Sequence, residues 1–193
     1  MILKAALDEV GAGIDRAFDA LLAIPPDPRA RLYEAMRYAA IGGGKRIRPM
    51  LVVAACDLFL VDRARAMRVA LAVECIHVYS LIHDDLPSMD DDDLRRGKPT
   101  LHRAFEESTA ILAGDSLHAL AFEILADEAT HEDPFVRAEL VADLARAAGP
   151  AARASSATSS ARTNGSSWVA SSASSSKAKA WSESPARIAV DSS

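Results

Sequence analysis

Apolar residues recur at spacings of three and four from residue 2 to residue 148, which is the pattern of amphipathic helices. Over residues 2–23 these positions form one stripe: Leu3, Leu7, Val10, Ile14, Phe18 and Leu21–Leu22. Pro25 and Pro26 follow and would end the first helix. Further helices are predicted over residues 28–41, 48–60, 62–85, 101–112, 115–129 and 134–148.

Residues that start and stop helices support these boundaries. Pro28 suits a first helical turn, the glycines at 42–44 suit a helix end, and Asp62 is a plausible N-cap. Gly114 lies between or within the two predicted helices that follow residue 100. The helix over 62–85 is the most apolar and is expected to be central. Since no alternating run with turn signals occurs, the sequence predicts an all-α fold.

The composition changes sharply at Gly149 and Pro150. Residues 150–193 are rich in Ser, Ala and Arg and have no apolar stripe, so they are predicted to be a disordered tail. Residues 1–149 would then form the folded domain. The abrupt change suggests a different origin for the tail, such as a shifted reading frame or a truncated gene.

Composition and charge limit the class of protein. A chain of 193 residues with a net charge of −5 and a pI near 5.5 fits a single domain without a nucleic-acid partner. Cys56 and Cys75 lie in apolar surroundings and are expected to be free thiols. The sequence has no apparent signal peptide and no uncharged apolar run long enough to span a membrane. A cytoplasmic location is therefore expected.

The densest chemistry lies between His83 and Thr100. Six carboxylates fall within residues 84–93, and two adjacent arginines, Arg95 and Arg96, follow. Mg²⁺ binds such oxygen ligands while leaving room for substrate phosphates, and arginines can fork onto the same phosphates. The segment therefore suggests a metal-bridged diphosphate. A solvated acidic face is the plainer interpretation of the run, but the apolar stretch Val78–Ile82 before it favours an anchored segment.

Other metal sites fit this segment poorly. A calcium loop starting at Asp91 would put Arg95 at a ligand position and Arg96 at its turn glycine. Zinc lacks a nearby Cys or His pair at ligand spacing.

The spacing of the acidic residues indicates how they could converge. Asp84 and Asp90 are six residues apart and would face different ways on a continuous helix. Pro87 lies between them and favours a loop, which could return Asp90 to the side of Asp84 at a helix end. His77 lies seven residues before Asp84, nearly two turns, so both are expected to face one cavity.

A basic motif, Gly43–Pro49, is the second candidate site. Its glycines would allow close approach of a ligand, and Lys45, Arg46 and Arg48 near a helix start would suit an anion. A glycine-rich helix end followed by surface cations would look much the same. The spacing is not that of a P-loop.

Together the two motifs resemble those of short-chain bacterial polyprenyl diphosphate synthases, of the farnesyl and geranyl diphosphate synthase type. The likeness covers residues 1–149, about the N-terminal half of such an enzyme. It rests on the following segments: Gly43–Pro49, His77, Asp84–Asp90, the run from Asp91 to Thr100, and Ala113–Asp115.

The resemblance implies the all-α isoprenoid synthase bundle and Mg²⁺-dependent prenyl transfer. Isopentenyl diphosphate would condense with an allylic diphosphate, dimethylallyl or geranyl. The residues that would bind the isopentenyl diphosphate are Lys45, Arg48, His77 and Arg96. The allylic side would use Arg95, with Asp84 and Asp90 as metal ligands supported by Asp85. By the same resemblance the complete enzyme would be a homodimer.

The resemblance also bears on product length. Tyr79 and Ser80 lie five and four positions before Asp84. In the resembled family, a bulky residue at the fifth position blocks the tunnel that holds the growing product below the metal site, and Tyr79 would do the same here. That predicts products of ten to fifteen carbons. The plainer interpretation is that Tyr79 is a core aromatic residue, and the two roles are compatible.

The match to the family ends before its second aspartate-rich motif, and after Asp93 the aspartates of this chain are solitary. The chain as given is therefore expected to bind diphosphates weakly and turn over little. One alternative is a non-catalytic fragment or partner subunit of a full-length synthase. A terpene cyclase would not need the basic motif, and a purely structural bundle would leave both motifs unexplained.

Overall fold

The computed structural model describes residues 2–155, with side-chain environments for residues 3–149. Within this range the chain forms helices and one short hairpin. The elements are α1 (Ile2–Leu21), α2 (Ala30–Ala40), α3 (Ile47–Leu58), α4 (Arg63–Asp84), β1 (Leu94–Arg95), β2 (Lys98–Pro99), α5 (Leu101–Ala104), α6 (Glu107–Ala126) and α7 (Pro134–Ser155).

The predicted apolar stripe of α1 forms part of the core. Val10, Ile14, Phe18 and Leu22 are almost fully buried. The helix α4 is central, as predicted, because α1, α2, α3 and α6 all pack against it. Its start also follows the prediction, since the Asp62 carboxylate accepts a hydrogen bond from the Arg65 backbone N–H at 3.0 Å.

Gly114 does not break a helix. The helical conformation is interrupted at residues 105–106, between α5 and α6, and Gly114 lies buried within α6. A β-carbon at Gly114 would overlap the His83 imidazole. The glycine therefore allows α4 and α6 to approach closely, and the predicted boundary between residues 112 and 115 is wrong.

A two-stranded antiparallel hairpin interrupts the otherwise helical fold. Leu94 pairs with Pro99, and Arg95 pairs with Lys98. The turn residues Arg96 and Gly97 have φ of 55° and 78°, and positive φ at both central residues is the requirement of a type I′ turn. The sequence analysis missed this hairpin because arginine is an unusual first residue for such a turn.

The last helix continues beyond its predicted end near Ala148. It runs across Gly149 and Pro150 to Ser155, so residues 150–155 do not fit the predicted tail. The rest of that tail, from residue 156, lies outside the described residues.

Two helices, α4 and α6, are long and apolar enough to cross a membrane, judged by length and composition alone. Neither helix was predicted as a membrane span, because each contains charged residues and the prediction required an uncharged apolar run. The two helices pack against each other, and about half of each apolar window is buried in the described fold. Core helices of globular proteins have these same properties.

Candidate diphosphate and metal site

A cavity of about 420 Å³ lies between the start of α3, the middle of α4 and the hairpin. Its walls combine backbone from the basic motif with cationic side chains. The lining residues are Gly44, Lys45, Arg46, Ile47, Arg48, Glu74, His77 and Arg96. The fold thus brings together the four residues assigned by resemblance to isopentenyl diphosphate, although they are drawn from three separate segments.

Three of the four cations that line this cavity are available to an external anion. In the described part of the chain, Lys45, Arg48 and Arg96 take part in no ion pair, whereas many of the other arginines do. Arg48 lies in the first turn of α3, where unsatisfied backbone N–H groups and the helix dipole favour negative charge. The cavity is therefore electrostatically suited to a phosphate or diphosphate.

His77 is held neutral at this cavity. Its burial, together with the charges of Arg48, Arg96, Arg46 and Arg95, lowers the pKa of His77 from about 6.5 to about 4. A neutral imidazole can donate one hydrogen bond to a phosphate oxygen without adding charge. An anion bound among these arginines would raise the pKa of His77 again.

The acidic loop folds back on the end of α4. The backbone N–H of Asp90 donates to the carbonyl of Asp84 at 2.8 Å, which closes the loop around Pro87. The loop turns further where the N–H groups of Met89 and Asp91 donate to the Leu86 carbonyl at 2.8 and 3.1 Å. Asp90 therefore returns to the side of Asp84, in the way that the proline suggested.

Asp84 and Asp90 interact as like charges. Burial first, and then the neighbouring charge of Asp90, raises the pKa of the Asp84 carboxyl above its ordinary value, while Arg95 opposes the rise. A half-buried Asp84 carboxylate and an exposed Asp90 carboxylate that repel each other are an arrangement that a divalent cation would relieve.

Among the described residues no three His, Cys, Asp or Glu side chains converge tightly enough to hold a metal by themselves. Mg²⁺ does not need such a cage, because one or two carboxylates commonly hold it together with water and substrate phosphates. The pair Asp84 and Asp90 fits that pattern.

Asp85 has a different partner. It is only 3% exposed, and Arg95 binds it through two nitrogens, with Nε at 2.9 and 2.7 Å from the two carboxylate oxygens and Nη2 at 2.5 Å from Oδ1. Asp85 was expected to support the metal ligands. In this structure its carboxylate instead holds the Arg95 guanidinium.

The acidic pair lies outside the lining of the cationic cavity as the described residues form it. His77 lines that cavity but Asp84 does not, although both were expected to face one space. Arg95 connects the two regions, since its charge acts on the pKa of both His77 and Asp84.

Tyr79 belongs to α4, and its ring contacts α6. Its ring makes an edge contact with His83 and a tilted contact with His118, each at 4.7 Å between centroids. Burial, and then the charges of Asp115 and Asp84, raise the pKa of Tyr79 above its ordinary value. Ser80 turns towards its own helix, where Oγ donates to the His77 carbonyl at 2.8 Å.

The sequence analysis missed a buried network under the basic motif. Arg46 is almost fully buried and binds Glu74 and Asp15 at 2.7 and 2.6 Å. A sequence signal for it existed, because Glu74 stands alone in the apolar run Leu71–Ile76 and a buried carboxylate requires a cation.

The chain thus combines a helical bundle, a cationic cavity and an aspartate-rich loop. The family model described as Polyprenyl synthetase matches residues 29–149, and the chain belongs to this family. The family resemblance inferred from the two motifs is thus confirmed.

Curated relatives and solved structures agree with this assignment. The chain is 59% identical over 102 residues to geranylgeranyl pyrophosphate synthase 12, chloroplastic, of Arabidopsis thaliana, covering 53% of this chain and 28% of that protein. It is 54% identical over 113 residues to farnesyl diphosphate synthase of Escherichia coli (strain K12), covering 58% and 38%.

Among solved structures, an FPP/GFPP synthase from Zymomonas mobilis superposes with a TM-score of 0.75 at 64% identity, covering 76% of this chain and 53% of that one. A geranyltranstransferase from Thermotoga maritima gives 0.66 at 35% identity, covering 74% and 51%. The predicted isoprenoid synthase fold is confirmed. The chain spans about a third of the length of these curated relatives and about half of these solved structures.

Proposed function

We propose that this chain provides the isopentenyl diphosphate pocket and the first magnesium motif of a short-chain prenyltransferase. The reaction joins isopentenyl diphosphate to an allylic diphosphate, dimethylallyl or geranyl. The observation that carries the proposal is the cavity in which Lys45, Arg48 and Arg96 stand without ion-pair partners in the described residues. The aspartate loop that folds back on the end of α4 supports it.

The isopentenyl diphosphate would lie in the cationic cavity. Lys45, Arg48 and Arg96 would neutralise its diphosphate, and His77, neutral at pH 7, would donate one hydrogen bond. The N-terminus of α3 adds backbone dipoles to the same position. These groups fix one substrate without taking part in bond formation.

The allylic diphosphate would lie at the acidic loop. Asp84 and Asp90 would hold Mg²⁺, which supplies charge neutralisation of the departing diphosphate when bound. Arg95 would add a hydrogen-bonding cation on the same side, and Asp85 would hold the Arg95 guanidinium in position.

The chemistry requires no nucleophilic side chain. The allylic C–O bond breaks, the isopentenyl double bond attacks the resulting allylic carbocation, and a proton is lost from the new carbon–carbon unit. Positioned cations stabilise the charge that develops on the leaving diphosphate, which is commonly the largest contribution to such catalysis.

Tyr79 would limit product length. Its ring contacts His83 on α4 and His118 on α6. In the form of the enzyme that turns over, Tyr79→Ala is expected to lengthen the product. A product distribution identical to that of the parent would remove this role for Tyr79, and Ser80→Ala provides the neighbouring control.

A partner subunit is the second candidate function. One relative, 53% identical over 120 residues, is named the large subunit 1 of a heterodimeric geranylgeranyl pyrophosphate synthase. Pairing with a full-length synthase, or with a second copy of this chain, would be detected by co-purification and by activity that depends on the partner.

The proposed activity is tested by incubating the purified chain with labelled isopentenyl diphosphate, geranyl diphosphate and Mg²⁺ and then sizing the products. We expect diphosphate binding with little turnover from the 193-residue chain alone. Rapid prenyl transfer would contradict the low turnover, and the absence of diphosphate binding would contradict the proposed function itself.

A further inference from the structure

Arg46 belongs to the basic motif but does not present its side chain to solvent as its neighbour Lys45 does. Its side chain is 5% exposed, and its backbone has the left-handed φ of 49°. A non-glycine residue at positive φ is uncommon and is kept only where surrounding contacts fix it. The position of Arg46 is therefore set by its partners.

Those partners come from three other parts of the fold. Arg46 Nη1 donates to Glu74 Oε1 at 2.7 Å, and Nη2 donates to Asp15 Oδ1 at 2.6 Å and to the Ala40 carbonyl at 2.5 Å. The guanidinium also lies 5.9 Å from the centroid of the Phe18 ring. Asp15 is about one-third exposed, whereas the Glu74 side chain is 4% exposed.

Glu74 is the member of this network that affects the proposed site. It lines the cationic cavity and precedes His77 by three residues on α4. A free carboxylate there would repel an incoming diphosphate or bind one of the cavity cations. In the described residues Glu74 pairs with Arg46 alone, and Lys45, Arg48 and Arg96 are left without carboxylate partners.

We infer that Arg46 is a positioning residue that binds and neutralises Glu74, and thereby leaves Lys45, Arg48 and Arg96 available for the diphosphate. The inference rests on the proposed function for the identity of the anion. It differs from a direct role for Arg46 as a further diphosphate ligand, because the charge that matters is the one that Arg46 cancels.

A double-mutant cycle separates these roles. Inorganic diphosphate is titrated into the purified chain by calorimetry for wild type, Arg46→Gln, Glu74→Gln and the double variant. Arg46→Gln is expected to weaken binding by about tenfold or more, because it exposes a like charge to the ligand. Adding Glu74→Gln is expected to restore binding to within about threefold of wild type, since the two sites are coupled.

Asp15→Asn is the matched control. It removes one ion pair of Arg46 and leaves the pair with Glu74 in place, so diphosphate binding should be unchanged. If Arg46→Gln and the double variant bind equally weakly, Arg46 is a direct ligand or a general structural anchor and the inference is overturned. Unchanged binding in Arg46→Gln overturns it as well.

The His77 ring supplies a readout that needs no ligand. In NMR titrations the pKa of His77 should be highest in Arg46→Gln, where Glu74 is uncovered, lower in the double variant and lowest in wild type. If wild type binds no diphosphate but this order holds, the proposed function fails, whereas the neutralisation of Glu74 by Arg46 stands. A different order contradicts the role of Arg46 independently of binding.

Loss of folding in Arg46→Gln, monitored by circular dichroism, would leave Glu74→Gln as the deciding variant. The inference predicts diphosphate binding as tight as wild type or tighter, even if the melting temperature falls. Weaker binding by a folded Glu74→Gln chain would overturn it.

Discussion

Gly44 and Arg96 lie in direct contact. A β-carbon placed on Gly44 would come within 2.5 Å of Arg96 Nη1 and 3.2 Å of its Cζ. The guanidinium from the hairpin turn thus packs against the backbone of the basic motif, which joins two segments that are far apart in sequence. Glycine is required at residue 44 by this contact as well as by its φ of 91°.

Gly44→Ala is expected to displace Arg96 from the cavity and to weaken diphosphate binding by about tenfold. The matched control is Gly42→Ala, which has a similar φ of 72° but no atom within 4 Å of the added methyl group. Both variants should lose about 1–2 kcal/mol of stability from backbone strain. Calorimetric titration with inorganic diphosphate measures the difference, and equal affinities of the two variants would contradict the role of Arg96.

Asp85→Asn is expected to destabilise the fold by roughly 1–3 kcal/mol, because it removes the buried partner of Arg95. The control in the same loop is Asp93→Asn, whose 73% exposed carboxylate pairs with Arg103 on the surface. Surface pairs contribute about 0–1 kcal/mol. Urea unfolding would compare the two variants, and an equal loss of stability would show that the Asp85–Arg95 pair has no special role.

Asp84→Asn is expected to raise the melting temperature at pH 7. The pKa of Asp84 is raised in the folded state, so the contribution of this group to stability is present below about pH 3.8 and is lost as the pH rises through the folded-state pKa. Removing the charge should add about 1–3 °C to Tm at pH 7 and nothing at pH 3.

Mg²⁺ gives the complementary measurement for the same pair. We expect Mg²⁺ to raise the Tm of wild type at pH 7 and to have little effect on Asp84→Asn. Asp8→Asn, an exposed surface position on α1, is the control and should respond as wild type does. An equal response to Mg²⁺ in Asp84→Asn would remove Asp84 from the metal site.

His77 should make the fold sensitive to moderate acid. Its pKa is lowered to about 4, whereas the unfolded chain protonates near 6.5. The stability it contributes is therefore complete above pH 6.5 and is lost as the pH falls towards 4. Thermal melts of His77→Gln should fall less steeply over this range than those of wild type, and parallel curves would contradict the neutral state of His77.

Local sequence signals predicted the parts of the fold that local physics decides. The Asp62 cap, the apolar stripe of α1 and the loop at Pro87 each depend on residues within one or two turns of chain. The relation between Asp84 and Asp90 followed from the same reasoning, because a proline between them left few other paths for the backbone.

Contacts between distant segments could not be predicted in this way. Arginine is usually exposed, and the acidic partners of Arg46 lie 28 and 31 residues away, so its burial depended on tertiary packing. Gly114 suggested a helix break from sequence alone. Glycine is needed there because His83, on another helix, occupies the space of a side chain, and this contact cannot be read from neighbouring residues. The hairpin depended on a turn residue, Arg96, that local preference would not select.

Binding of isopentenyl diphosphate to the purified chain, measured by calorimetry, tests the central claim most directly. Lys45→Ala and Arg48→Ala are each expected to weaken binding by about tenfold, since each removes a charged contact to the diphosphate. The controls Lys4→Ala and Arg146→Ala, at surface positions on α1 and α7, should bind as wild type does. Equal affinity across all five proteins, or no binding by wild type, would contradict the assignment of this cavity.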